Sequence, residues 1–363
     1  MHILDSLNRG GAETLALDVC RNARAGGLEL VFVATGGGDL EDDFRESGVE
    51  FVRLRRESPV DLNLASKLGE LIRARGVRVV HSHQAVEALH AYLATRGTEV
   101  KNVLSFHLCT SDAKNRLALR FLAPRADACV AVSRDLLACL KSEGGFRTDR
   151  NFHVVYNGVD AQRLKPTGAS LRDELSVGAD ELLLGMVGNF YADARKDQLT
   201  VCRALHAFFR AVPAARFAFV GGQSQSGPGA FEECVEFCRE QGIAERVHFL
   251  GRRADVADVL ASLDLFVFST RRDSFGVAVV EALMLGVPSV VSDIGALLEV
   301  SGGGQYAETF RAGDAGDLAR VLVGLAADAT GRALLGARGR EWAARQFGIA
   351  AHIRSLRRLY ESL

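Results

Sequence analysis

Net charge of either sign is what this sequence most lacks. Lys and Arg number 44 against 45 Asp and Glu, a formal charge of −1. A dedicated nucleic-acid binder needs a basic excess, so nucleic acid is not an expected partner and any basic surface must be local. Long apolar runs are missing too: none reaches the roughly 18 residues of a membrane span. The opening residues, Met1 to Asp5, read as a strand and not as a basic-then-apolar leader. A soluble, cytoplasmic protein is the expectation. That first strand reads as short, and a few residues are expected to precede it. No low-complexity tract and no repeat of roughly 20–50 residues interrupts the chain.

Paired cysteine motifs are also absent. The 7 cysteines, Cys20, Cys109, Cys129, Cys139, Cys202, Cys234 and Cys238, are odd in number and include no CxxC. Cys234 and Cys238 stand one above the other on an expected helix, without further ligands nearby, and read as core packing. The set suits a reducing cytoplasm. GxGxxG followed by an acidic residue at the next strand end is missing, which argues against a dinucleotide oxidoreductase.

What the chain does hold is length and apolar content. Its 363 residues suffice for two domains, and 48% hydrophobic residues supply a sizeable core. Short β-branched runs alternate with helical periods. Strands are expected at 3–4, 29–33, 50–54, 77–81, 102–106, 128–132 and 152–155, with helices at 13–25, 62–75, 86–96, 116–122 and 135–142. Turn chemistry interrupts from Tyr156 to Asp160 and around Pro166. Alternation then resumes, with strands at 182–187, 216–220, 247–250, 265–268 and 289–291. The helices of this half are expected at 198–211, 230–241, 254–261 and 277–285, then 317–327, 332–346 and 351–363. Such alternation implies parallel sheets covered by helices on both faces. The fold class is α/β, two doubly wound Rossmann-like domains, 1–165 and 166–346, facing across a cleft. Ligands of open sheets bind beyond the carboxyl ends of the strands, and each chemical motif follows an expected strand.

The most informative motif is Asp273 to Glu281. Asp273 lies in a polar loop after an apolar strand, and Glu281 lies inside an apolar helix that ends near Pro288. Ser274, Phe275 and Gly276 bring the backbone to the helix start, where open N–H groups favour phosphate. A carboxylate further in can accept hydrogen bonds from ribose hydroxyls. The segment reads as a nucleotide-sugar clamp, against the plainer reading that Glu281 complements its helix dipole. Arg195 and Lys196 stand at the start of another helix, where cations oppose the dipole and make sense if an anion lies in front of them. Gly10 and Gly11, after the first strand, let backbone approach a ligand or simply make a turn. His81 and His83 close the fourth strand and point the same way, and His107 closes the fifth. A zinc site there lacks a third local ligand, and a cleft role is the alternative.

Together these residues resemble glycosyltransferase family 4, retaining enzymes of GT-B fold, over nearly the whole chain. The resemblance rests on the turn at residues 10–13, on Asn157 to Asp160, on Gly188 with Lys196, and on the acid pair Asp273 and Glu281. It implies that helix 347–363, with Tyr360, packs back on the first domain. It implies catalytic roles for His107, Lys196 and Asp273: His107 close to the transferred sugar, Lys196 on the diphosphate and Asp273 facing the sugar. Donor binding would fall to Gly10, Gly11, Asn189, Arg195, Lys196, Arg252, Ser274, Phe275, Gly276 and Glu281. Two positions depart from the family pattern: Asp273 stands where Glu is usual, and Asn189 where Arg is frequent. The implied reaction moves a sugar from a nucleoside diphosphate to a glycan or lipid-linked acceptor, with no metal or cofactor. Cell-surface polysaccharide or lipopolysaccharide assembly is the usual setting. A nucleotide-sugar epimerase, a glycosidase and a non-catalytic nucleotide-sugar binder are the rivals. Lys114, Arg116, Arg120 and Arg125 border an apolar segment, so peripheral contact with an anionic membrane is weighed against an ordinary solvated helix.

Overall fold

A strand covered by helices on both faces reads as a near-continuous apolar run, as residues 128–131, 182–187 and 265–268 do. The computed structural model describes residues 1–109, 113–191, 195–223 and 229–363. The first seven strands are β1 (His2–Leu4), β2 (Val31–Ala34), β3 (Glu50–Arg53), β4 (Val79–Ser82), β5 (Lys101–Phe106), β6 (Ala128–Ala131) and β7 (Phe152–Val154). They form one parallel sheet in the order β3-β2-β1-β4-β5-β6-β7. Six more follow: β8 (Leu182–Val187), β9 (Ala215–Val220), β10 (Val247–Phe249), β11 (Leu265–Phe268), β12 (Ser289–Ser292) and β13 (Glu308–Phe310). These form a second parallel sheet, β10-β9-β8-β11-β12-β13. Each order winds outward from its first strand and then reverses. Each sheet therefore has a switch point, between β1 and β4 and between β8 and β11.

The chain divides into two compact units, Met1–Val159 with Phe347–Leu363, and Asp160–Gln346. In the first, Leu4 faces a cluster with Phe32 and Phe44, whose rings stack at 4.2 Å, while Ile3 faces Val33, Ile72 and Val80 on the other side. Alternation along β1 thus feeds both cores. The chain returns to this unit through backbone bonds from Val159 N to Phe347 O (2.8 Å) and from Ile349 N to Val159 O (2.9 Å). The last helix, Ile349–Glu361, then packs Ile353 against Leu15 and Val19, and Leu356 and Leu359 against Val103 and Val130. In the second unit β11 is buried along its length, and Phe219 and Phe249 stack at 5.2 Å. Cys202, Cys234 and Cys238 are buried free thiols, as packing predicts.

The structure adds elements that the sequence pattern does not announce. The helices Glu41–Arg45, Leu171–Glu174 and Gly295–Val300 are too short to show a 3.6-residue period. Strand β13 carries exposed Glu308 and exists because Val290, Val291 and Ser292 pair with it. Cys109 and Cys139 are joined in a disulfide, Cα to Cα 6.1 Å. They lie far apart in sequence, so spacing gave no sign of a bond more usual in oxidising surroundings.

One glycine fixes how the loops at the carboxyl edge of the second sheet meet. Gly221, just after β9, has φ +155°, and a Cβ there would fall on the Gly188 carbonyl. The substitution Gly221→Ala is expected to destabilise the protein by roughly 1–3 kcal/mol from conformation alone, with the clash in addition. Urea denaturation checks this; an unchanged midpoint would show that the loop has room to relax.

Candidate functional site

At the switch point of the second sheet, the turn after β8 is tied to the loop after β11. Asp197 N donates to Ser269 O at 2.9 Å, and the Thr270 hydroxyl donates to the Arg195 carbonyl. Asp197 caps the helix Gln198–Ala211 by accepting from Thr200 N at 3.2 Å, and it also takes Arg271 Nε at 2.9 Å. Gln198 Nε2 donates to the carbonyls of Gly188 and Asn189. A cation in this position gains nothing from the helix dipole. Lys196 is nevertheless held there, its Nζ 4.2 Å from the Phe268 ring centroid and paired with Asp273 Oδ2.

Asp273 is the centre of this arrangement. Its Oδ1 accepts from Ser274 N (2.7 Å) and Phe275 N (3.2 Å). Burial alone would raise its pKa; the Lys196 charge and the two N–H donors outweigh burial and hold the carboxyl below its usual range. Two of the N–H groups expected to stand open at the helix start are therefore occupied by the chain's own carboxylate. Phe275 is buried, its ring part of the core and not of an open surface. Gly276 takes the left-handed conformation, φ +88°, as the cap of the helix Val277–Met284.

Glu281, on that helix, is buried and pairs with Arg163 Nη2 at 2.9 Å. Arg163 was not singled out from the sequence, because a single Arg in a loop distant in sequence carries no signal. Asn189 braces the edge: its Oδ1 accepts from Gly222 N at 2.9 Å. Arg252 is exposed and lies over Gly222, where a Cβ would come within 2.6 Å of Arg252 Nε. Arg195 lies 4.8 Å over the Tyr191 ring. The structure thus brings Lys196, Asp273, Ser274 and Phe275 into direct contact, and holds Glu281 through Arg163.

In the first unit, Gly10 caps the helix Gly11–Asn22 in an extended conformation, and a Cβ on it would meet Glu13 Oε2 at 2.5 Å. The Gly11 position is open. His107 Nε2 and His83 Nδ1 are 3.1 Å apart, so the histidines singled out from the sequence do gather. His2, from β1, joins them as a fourth histidine, which the sequence pattern left out: ligand atoms of His2, His81 and His83 lie within 4.8 Å of one another. Burial pushes the His107 pKa down to about 4.

A third residue missed in the sequence, after Arg163 and His2, is Glu87. Its Oε1 accepts from Asp5 N at 2.7 Å, while Oε2 is buried with no hydrogen-bond partner. Burial first, then the Asp5 charge, raises its pKa from 4.5 to about 7. Below the ordinary value both folded and unfolded chains are protonated and Glu87 has no effect. As pH rises between 4.5 and about 7 the unfolded chain releases a proton that the folded one keeps, so stability falls and then levels. Glu87→Gln is expected to abolish this loss, worth about 3 kcal/mol at pH 8. Denaturation curves of both proteins at pH 4 and pH 8 check it; parallel pH dependences would refute it.

Known proteins match along the same division of the chain. The family described as Glycosyltransferase Family 4 matches residues 9–163, and Glycosyl transferases group 1 matches residues 181–328. The chain is 28% identical over 315 residues to N-acetyl-alpha-D-glucosaminyl L-malate synthase of Bacillus anthracis, covering 84% of this chain and 80% of that protein. It is 30% identical over 298 residues, 80% of each chain, to the lipopolysaccharide core biosynthesis mannosyltransferase LpsB of Rhizobium meliloti. A crystal structure of Anabaena HepE in complex with UDP and glucose matches it with a TM-score of 0.85 at 20% identity, over 100% of this chain and 99% of that one. The fold is therefore GT-B, and the chain belongs to glycosyltransferase family 4 and is a glycosyltransferase.

Proposed function

We propose that the chain moves a hexosyl group from a nucleoside-diphosphate sugar to an acceptor hydroxyl, with retention of anomeric configuration. The observation that carries this reading is the Lys196–Asp273 pair at the switch point of the second sheet. A lysine held over an aromatic ring and against a single carboxylate is a cation that a diphosphate, with its larger charge, can draw away. Asp273 released from Lys196 is then available to a sugar hydroxyl. Glu281 takes the ribose hydroxyls, and Arg163 fixes its orientation. Asn189, Arg195 and Arg252 line the donor side, with Ser274, Phe275 and Gly276 beneath the phosphates; in the first unit Gly11 offers open backbone, beside Gly10 at the helix cap.

The transition state is oxocarbenium-like, and negative charge grows on the departing diphosphate. Lys196 and Arg195 stabilise that charge, so the reading asks no metal ion to do so. The leaving phosphate takes the acceptor proton, and His107 holds sugar hydroxyls in place. The likeness to LpsB and the UDP in the HepE crystals support a nucleotide-sugar donor and a role in cell-surface polysaccharide or lipopolysaccharide assembly.

Lys196→Ala and Glu281→Ala are each expected to lower turnover by about two orders of magnitude or more, the scale of removing one charge-stabilising group. Proton NMR of the product made from an α-linked UDP-hexose is expected to show an α linkage. A β product would refute retention, and donor binding in calorimetry without transfer to any acceptor would refute the enzyme reading of these residues.

The acceptor is proposed to be lipid-linked and reached at an anionic membrane surface. Among the described residues no helix is long and apolar enough to cross a membrane. The helix Ala113–Leu122 instead exposes Leu117 (73%) and Phe121 (46%), and the Arg125 guanidinium lies 3.9 Å over the Phe121 ring. Arg120 and Arg125 are engaged with the carbonyls of Gly144 (2.9 Å) and Phe121 (2.7 Å), so Arg116 makes the main charge contact. Flotation with vesicles rich in anionic lipid is expected to recover the protein, and Leu117→Asp to weaken recovery several-fold. Equal recovery with neutral vesicles would end the idea.

A further inference from the structure

Four imidazoles and two hydroxyls form one hydrogen-bonded chain within the first unit. His107 Nε2 meets His83 Nδ1 at 3.1 Å, and His83 Nε2 meets His2 Nδ1 at 3.2 Å. His2 Nε2 meets the Tyr360 hydroxyl at 2.9 Å, and that hydroxyl meets His81 Nδ1 at 2.5 Å. His81 Nε2 closes the chain on Ser105 Oγ at 2.7 Å. Register explains the gathering: His81 and His83 share a face, His2 lies opposite His81 on the neighbouring strand, and the last helix delivers Tyr360.

The chain has a direction. Burial holds all four rings neutral, so each has one N–H and one lone pair. A ring that accepts at one nitrogen must donate from the other. Among the described residues the Tyr360 hydroxyl has no partner but His2 and His81, so its one hydrogen goes to one of these rings and its oxygen accepts from the other, and the five bonds run all one way or all the other. Ser105 decides which. It is buried, and among the described residues its hydroxyl has no partner except His81. If His81 donated to it, the serine hydrogen would be buried without an acceptor, a cost of about 1–3 kcal/mol. Ser105 therefore donates to His81 Nε2, and His81 Nδ1–H donates to Tyr360. Tyr360 then donates to His2 Nε2, His2 Nδ1–H to His83 Nε2, and His83 Nδ1–H to His107 Nε2. The proton of His107 is left on Nδ1, at the open end.

We propose that Ser105, His81, Tyr360, His2 and His83 are positioning residues that fix His107 as its Nδ1–H tautomer, presenting a hydrogen-bond donor at the carboxyl edge of the first sheet. The functional half of this inference rests on the reading of His107 as a sugar-facing group. A donor at that point fits a sugar hydroxyl or phosphate oxygen, and it does not compete with the leaving phosphate for the acceptor proton.

The test is nitrogen-15 NMR of histidine-labelled full-length protein at neutral pH. His107 is expected as Nδ1–H in the unaltered protein. Ser105→Ala should let the chain reverse, so that both tautomers appear, and Ser105→Thr should restore the single form. Tyr360→Phe should separate the two halves and lower kcat about tenfold with donor KM unchanged, the equivalent of one hydrogen bond. An Nε2–H tautomer in the unaltered protein overturns the proposal whatever the variants do. So does a His107 spectrum indifferent to both Ser105→Ala and Tyr360→Phe. Stoichiometric zinc that shifts His2, His81 and His83 together also overturns it, in favour of a metal site. Unchanged turnover in His107→Ala, with the Nδ1–H signal of the unaltered protein intact, overturns the functional half alone.

Discussion

A parallel sheet covered on both faces leaves charge nowhere to reside except at its ends. This constraint organises both units. The interior strands β6, β8 and β11 carry no polar side chain, and charged groups collect at the carboxyl edges, beside the strand pairs where the winding reverses. There they are neutralised locally: Lys196 by Asp273, Glu281 by Arg163, Arg271 by Asp197 and Arg56 by Asp5. Each partnership lies within one unit. An arriving anion therefore meets cations that are already engaged, and binding becomes an exchange of partners. A singly charged ligand gains little by such an exchange. A diphosphate, carrying more charge and more acceptor oxygens, gains more, which gives the proposed donor its advantage over monoanions.

Histidine follows a different logic. In the first unit the same desolvation that would punish a charge is met by groups that give up their charge and keep their hydrogen bonds. Neutral imidazoles are suited to this because each both donates and accepts. A carboxylate in the same neighbourhood, Glu87, shows the alternative outcome, a raised pKa and an oxygen without a partner.

Much of this was legible in the sequence, for a physical reason. Continuous apolar runs and long helical periods show themselves, so β8, β11 and the helix Gln198–Ala211 fall where the pattern puts them. Lys196 stands out because a cation at a helix start opposes the dipole, and Asp273 because it and Glu281 flank the start of an apolar helix as an acid pair separated by seven residues. The pairing of Lys196 with Asp273 does not stand out, since nothing in spacing tells two strand-end loops which residues will touch. Arg163, the Cys109–Cys139 bond and the arrival of His2 and Tyr360 beside His81 belong to the same class. All are long-range contacts between ordinary residues, created by topology.

The closing helix has a consequence for biogenesis. The first unit is assembled from both ends of the chain, and Ile353, Leu356, Leu359 and Tyr360 are structural parts of it. On the ribosome, everything in the second unit is synthesised before those residues exist. The usual order of vectorial folding is therefore inverted: the unit encoded first is completed last. Until the final helix docks, Val103 and Val130 lack the apolar cover that Leu356 and Leu359 give them.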